Sequence, residues 1–175
     1  MQLINMNKVI FLFVTLFGIG KLKKIPGSYA SLVTTIFLFF LFHIFNLSPN
    51  FILIGILIIF FLSIYAVNIF IKNLDNKDPK EVVIDEFIGQ SIPICLYEIA
   101  HEGTKEMNQV LTFYFIMFIL FRIFDIVKPY PVSYYDKNFK NSFGVIMDDV
   151  CAGLYVVAVL VSYMVITSWK RVLKN

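Results

Sequence analysis

Charge is missing from long stretches of this chain, and that absence limits what it can fold into. Residues 51–71 run for 21 positions without an Asp, Glu, Lys or Arg, and residues 150–169 run for 20. Residues 32–47 (16 positions), 107–121 (15) and 87–97 (11) repeat the pattern. A helix crossing the hydrocarbon core of a bilayer needs roughly 20 apolar residues. Backbone in lipid must satisfy its own hydrogen bonds, which leaves helices or closed barrels. Uninterrupted runs of this length read as helices. The predicted fold is all-α, a multi-helical membrane-associated bundle of about four to five apolar helices, with residues 1–175 as one domain.

Composition agrees. Hydrophobic residues make up 59% of the chain and charged residues 15%, against roughly 45–50% and 25% in soluble domains. The net charge of +3 comes from scattered basic residues, which argues against nucleic acid as a partner. Cys95 and Cys151 lie in apolar runs, form no CxxC pair and read as packing residues. Near the N-terminus, residues 9–17 have the length of a signal-peptide core. Lys21, Lys23 and Lys24 then follow in place of a cleavage site, so the segment reads as retained.

If all five runs cross, alternate loops share a side. The side holding residues 18–31, 72–86 and 122–149, with the N-terminal arm, carries 11 of the 15 Lys and Arg residues and all seven aspartates. Positive loops stay in the cytoplasm, which assigns that side. Residues 87–97 are the weak point, being short and holding Pro93, which should kink the helix. They read as a crossing only if Glu98 snorkels or the helix tilts, and otherwise as a buried or re-entrant helix. A compact bundle resting on the membrane is the other reading.

Three stretches carry chemistry. Pro26-Gly27-Ser28 is a turn signal beside three lysines, and Ser28 is predicted to cap the helix that follows, where freed N–H groups suit a phosphate; by itself the stretch reads first as a basic loop touching lipid headgroups. Asp78-Pro79 with Glu81 reads as a capping box. That would place Asp85 and Glu86 about two turns into a helix, as adjacent carboxylates that repel unless a cation compensates; a solvated helix face and metal ligation both stay open for them. The richest stretch is 121–153. Arg122 and Asp125 share a helix face, Pro129 should end that helix at Lys128, and Tyr134 and Tyr135 suit the headgroup level. Gly144 should break the loop before a helix bearing Asp148 and Asp149, and Ala152 and Gly153 one turn on permit close helix approach.

Asp85, Glu86, Asp125, Asp148 and Asp149 are hard oxygen donors on one predicted side. They suit Mg²⁺, whose shell is completed by water and substrate phosphate, and Arg122 and Lys128 suit that phosphate. His43 sits in an apolar run and reads as a packed or weakly polar core residue, while His101 falls on the opposite side, so a histidine nucleophile is not expected. Thiol-phosphatase and DxDxT spacings are both absent from the sequence. Attack by activated water or by an aspartate both stay open.

The segments IPGSYASL, VIDEFIG, FRIFDIVKPYPVSYYD and GVIMDDVCAG, in that order, resemble the phosphatidylglycerophosphatase A family. The resemblance implies a helical, membrane-associated, Mg²⁺-dependent phosphatase. It would convert phosphatidylglycerophosphate to phosphatidylglycerol and inorganic phosphate at the cytoplasmic face of a bacterial inner membrane, with a membrane phospholipid as its substrate partner. It implies Asp85, Glu86, Asp125, Lys128, Asp148 and Asp149 as catalytic residues, the five acids among them as metal ligands. Arg122, Lys128 and Ser28 become phosphate-binding, and Asp136 also matches. The chain departs from the family at Ser28, where threonine is usual, and at Ala30, where glycine is usual. The neighbouring alternative is a phosphatidate or lysophosphatidate phosphatase. From another class, a small membrane cation carrier or assembly subunit would also place acids in a bundle.

Overall fold

The computed structural model describes residues 2–72, 74–76, 78–101 and 106–172. Lys77, Lys105 and Lys174, which enter the loop-charge count, lie outside the described residues. Every regular element among the described residues is helical: α1 (Gln2–Val14), α2 (Pro26–Phe39), α3 (Pro49–Ile71), α4 (Ile84–His101), α5 (Met107–Val127), α6 (Val132–Asn138) and α7 (Ser142–Val172). A 3-10 turn spans Ile19–Lys21, and a π-helical turn, Phe40–Ile44, continues α2. Among the described residues, four segments are long and apolar enough to cross a membrane: Pro26–Ile44, Pro49–Ile71, Met107–Val127 and Ser142–Thr167.

The short run at 87–97 lies within α4, which packs against α2, α3, α5 and α7. Ile84, Ile88, Ile94 and Cys95 are buried on it, and so are Asp85, Gln90, Ser91 and Glu98. A helix buried on most sides sits in the middle of a bundle. Glu98 therefore does not snorkel. Its Oε1 accepts a hydrogen bond from the Tyr114 hydroxyl at 2.8 Å and lies 3.1 Å from His43 Nε2. The π turn admits an extra residue into the helical repeat, and His43 stands in it, so the histidine read as a packed or weakly polar core residue is one partner of a buried polar group. Cys95 and Cys151 are both free and buried.

Three expected helix starts move. α2 begins at Pro26 with Ile25 at the cap in a left-handed conformation (φ 45°), so Ser28 lies inside the first turn and does not cap it. Proline at the first position has φ already set and no N–H to satisfy, which makes it the better start. α4 begins at Ile84, not at Pro79. Val82, Val83 and Ile84 are β-branched and buried, and the Val83 N–H donates to the Val14 carbonyl at the end of α1 at 2.9 Å. That bond ties the segment to α1 ahead of the helix and places Asp85 and Glu86 in the first turn of α4. α7 begins at Ser142, so Gly144 is inside the helix. The other expected end holds: α5 stops at Val127, and Lys128 takes a left-handed conformation (φ 47°) before Pro129.

The closest helix approach that bears on function is α4 against α7. Pro93 has no N–H, so the Gly89 carbonyl loses its donor four residues on. That oxygen faces Gly153 of α7, where an added Cβ would lie only 2.3 Å from it. An added Cβ on Gly89 would lie 2.6 Å from the Asp149 carbonyl and 2.7 Å from the Phe121 ring. Glycine at both positions brings the two backbones together one turn from Asp85, Glu86 and Asp149.

Candidate active site

Asp85 and Glu86 are the second and third residues of α4. The helix N-terminus carries partial positive charge, which favours acids there. The Glu86 N–H donates to Asp85 Oδ1 at 3.1 Å, and on α7 the Asp149 N–H donates to Asp148 Oδ1 at 3.0 Å. The close crossing then sets Asp149 against the α4 pair. Each of Asp85, Glu86 and Asp149 presents a carboxylate oxygen, and these oxygens lie within 4.8 Å of one another. Asp85 and Asp149 are buried.

The remaining acids have cationic partners. Arg122 Nη1 lies 2.8 Å from Asp125 Oδ2, one turn along α5. Lys128 Nζ bridges Asp136 Oδ1 at 2.6 Å and Asp148 Oδ2 at 2.8 Å. The left-handed turn at Lys128 leaves α5 so that this side chain meets both α6 and α7. The five acids grouped by sequence thus separate: Asp85, Glu86 and Asp149 form a cluster, while Asp125 and Asp148 border it in ion pairs. Asp125 is close enough for its charge to act on Glu86.

Gly27 seats the start of α2 on this cluster. An added Cβ would lie 2.0 Å from Glu86 Oε1 and 3.4 Å from Arg122 Nη1. Ser28, the next residue, is partly buried, and its backbone N–H is used within the turn, donating to the Ile25 carbonyl at 3.1 Å. The hydroxyl that meets the site from α2 is that of Ser31. It accepts from Arg122 Nη1 at 3.3 Å and donates to the Gly27 carbonyl at 2.9 Å. Reading for caps missed Ser31; its place one turn inside α2, on the face of Gly27, was the available signal. Asp78, expected only to cap, lies near enough for its charge to act on Asp85.

Electrostatics show what the cluster lacks. Burial, and then the Glu86 charge, hold the Asp85 carboxyl well above the ordinary carboxylate range. Burial pushes Glu86 up to about 7. Burial works against the Lys128 charge, but the hydrogen bonds to Asp136 and Asp148 more than offset it and hold its ammonium above the usual lysine range. Among the buried atoms without a hydrogen-bond partner are Glu86 Oε2 and Arg122 Nε. Three crowded carboxylates with an orphaned oxygen fit a divalent cation bound through hard oxygen donors. An adjacent guanidinium with an unused N–H fits a phosphate oxygen.

The family model described as Phosphatidylglycerophosphatase A matches residues 12–164. A Haemophilus influenzae protein named phosphatidylglycerophosphatase A is 31% identical over 157 residues, covering 90% of each chain. An Escherichia coli protein of the same name is 28% identical over 145 residues, 82% of this chain and 77% of that one. A Bacteroides thetaiotaomicron protein, provisionally named a phosphatidylinositol-3-phosphatase, is 33% identical over 141 residues, 79% of this chain and 83% of that one. No solved structure matches. The match runs from the end of α1 through most of α7 and includes every acid and base of the cluster, and the chain belongs to the phosphatidylglycerophosphatase A family.

Proposed function

We propose that this chain hydrolyses the terminal phosphate monoester of phosphatidylglycerophosphate, giving phosphatidylglycerol and inorganic phosphate in phospholipid synthesis. The reading takes Mg²⁺ as cofactor and places the site at the cytoplasmic face of a bacterial inner membrane. The observation that carries it is the buried Asp85–Glu86–Asp149 cluster, with its unpartnered Glu86 Oε2, beside the unpartnered Nε of Arg122. Asp85, Glu86 and Asp149 would hold the metal, which when bound supplies Lewis-acid polarisation of a phosphoryl oxygen.

The chain's own residues supply the rest. Arg122 offers Nε to a phosphate oxygen while Ser31 and Asp125 fix its plane. That position favours the charge spread over the equatorial oxygens as the phosphorus–oxygen bond to glycerol breaks. Lys128 holds Asp148 oriented at the rim. The cytoplasmic assignment is supported by the charge bias: the side bearing the cluster carries 11 of the 15 basic residues.

Purified protein in detergent should release phosphate from phosphatidylglycerophosphate with Mg²⁺ and stop with EDTA. Asp149→Asn removes one of three clustered carboxylates and should lower the rate at least about 100-fold, the scale of losing an electrostatic contact in the transition state. EDTA-resistant release, or full activity in Asp149→Asn, would refute the metal assignment. Phosphatidylinositol 3-phosphate and phosphatidate belong in the same panel, because the Bacteroides relative bears a name pointing to the former. Faster turnover of either would displace the glycerol headgroup from the reading.

A further inference from the structure

A cleft of about 730 Å³ opens between α5, α7 and the last turn of α4. It lies at the end of the bundle away from the carboxylates. From Asp85 to Tyr97, α4 rises 1.5 Å per residue, so the two are about 18 Å apart along the axis. The body of the cleft is apolar, walled by Phe113, Ile116, Leu120, Val159 and Leu160. Its mouth is polar, with His101, Asn108, Gln109 and Thr167 near the helix ends. One turn below His101 stands Tyr97, 5% exposed, whose hydroxyl is buried with no hydrogen-bond partner.

Dimensions and chemistry select an occupant. Asn108 and Leu120 are twelve residues apart on α5, about 18 Å of helix. Half of a hydrocarbon core of about 30 Å is close to that length, so the cleft is one leaflet deep. Its volume falls within the roughly 300–1,000 Å³ of ligand pockets. An apolar shaft of that depth with a polar mouth has the form of a single acyl chain entering from the interface. Tyr97, on the cleft wall one turn below the mouth, belongs to the level of the ester carbonyls, which accept hydrogen bonds and have none to donate. An unmet buried hydroxyl is destabilising, and an ester acceptor removes that penalty.

We propose that this cleft holds one acyl chain of a resident phospholipid from the leaflet opposite the carboxylate cluster, with Tyr97 donating to its ester carbonyl. This lipid is not the substrate, because its headgroup lies at the other membrane face. The site is independent of which lipid the carboxylates act on.

The test is native mass spectrometry of the full chain extracted from membranes in mild detergent, with phosphate release measured on the same samples to show folding. The wild type should retain one phospholipid per chain. So should Val161→Trp, whose position is 50% exposed and outside the cleft. Leu160→Trp fills the cleft and should lose the lipid with phosphate release intact. Tyr97→Phe, nearly isosteric, should retain at least about five-fold less, and it keeps the test decisive if Leu160→Trp fails to fold. Three results overturn the proposal: lipid-free wild type, equal retention by Leu160→Trp and Tyr97→Phe, or a dimer, disrupted by Leu160→Trp, occupying the cleft.

Discussion

Replacing Gly153 by alanine tests whether one helix crossing sets the geometry of the carboxylate cluster proposed to hold the metal. The new Cβ would lie 2.3 Å from the Gly89 carbonyl oxygen, whereas ordinary contacts begin at 3.4 Å. The obstacle is backbone, so no rotamer relieves it, and α4 and α7 must separate by about 1 Å. Overpacking of this kind costs about 1–3 kcal/mol, which for a chain of this size is a fall of about 3–10 °C in Tm. The functional loss should be larger. Asp149 lies one turn from the crossing on α7 and Asp85 one turn from it on α4, so the separation moves the carboxylates apart, and a 1 Å misplacement is worth about 100-fold in rate. Thermal unfolding, Mg²⁺ titration of activity and rate at saturating metal are read together. Gly55→Ala is the control: it lies inside α3 with nothing within 4 Å of an added Cβ, so it should be neutral or stabilise by up to about 1 kcal/mol. Unchanged Mg²⁺ dependence and Tm in Gly153→Ala would refute the reasoning.

Two further outcomes follow from the same geometry. Glu86 has its pKa raised from 4.5 to about 7; a carboxyl with a raised folded-state value contributes stability that is complete below 4.5 and lost as pH rises through about 7. Tm in EDTA should therefore fall between pH 5 and pH 8, Mg²⁺ should restore it at pH 8, and Glu86→Gln should flatten the slope. A metal-free Tm that rises with pH over that range, or an unchanged slope in Glu86→Gln, contradicts the assignment. Ser31→Ala removes the hydroxyl that Arg122 donates to; a hydrogen bond to a charged group is worth about 1.5–3 kcal/mol, so KM for the lipid should rise about ten-fold or more with a smaller change in kcat. Partial recovery in Ser31→Thr, which keeps the hydroxyl, separates positioning from a packing defect.

Much of this protein is legible in its sequence because a bilayer imposes few solutions. Residues 51–71 and 107–121 can be read as helices because no other open structure satisfies their backbone in hydrocarbon. The end of α5 at Lys128 is equally local: the Pro129 ring disfavours helix at the residue before it. The close approach at Gly153 was also visible, as small residues one turn beyond an acid pair. These inferences need only a residue and its near neighbours.

What tertiary structure decided lies between segments distant in sequence. The start of α4 moved from Pro79 to Ile84 because the Val83 N–H bonds to the Val14 carbonyl, a partner 69 residues away. Glu98, for which local reading left snorkelling and burial both open, is buried because His43 and Tyr114 supply its partners from two other helices. Five acids and two bases looked interchangeable along the chain. Folding separated them: Asp125 keeps its helix neighbour Arg122, Asp148 gains Lys128 from another helix end, and Asp85, Glu86 and Asp149 crowd together from two helices. Sequence determines which side chains carry charge and which runs must be helical, since those follow from covalent chemistry and the solvent. Which charges compensate one another depends on distances of a few ångströms, and those are set only when the helices pack.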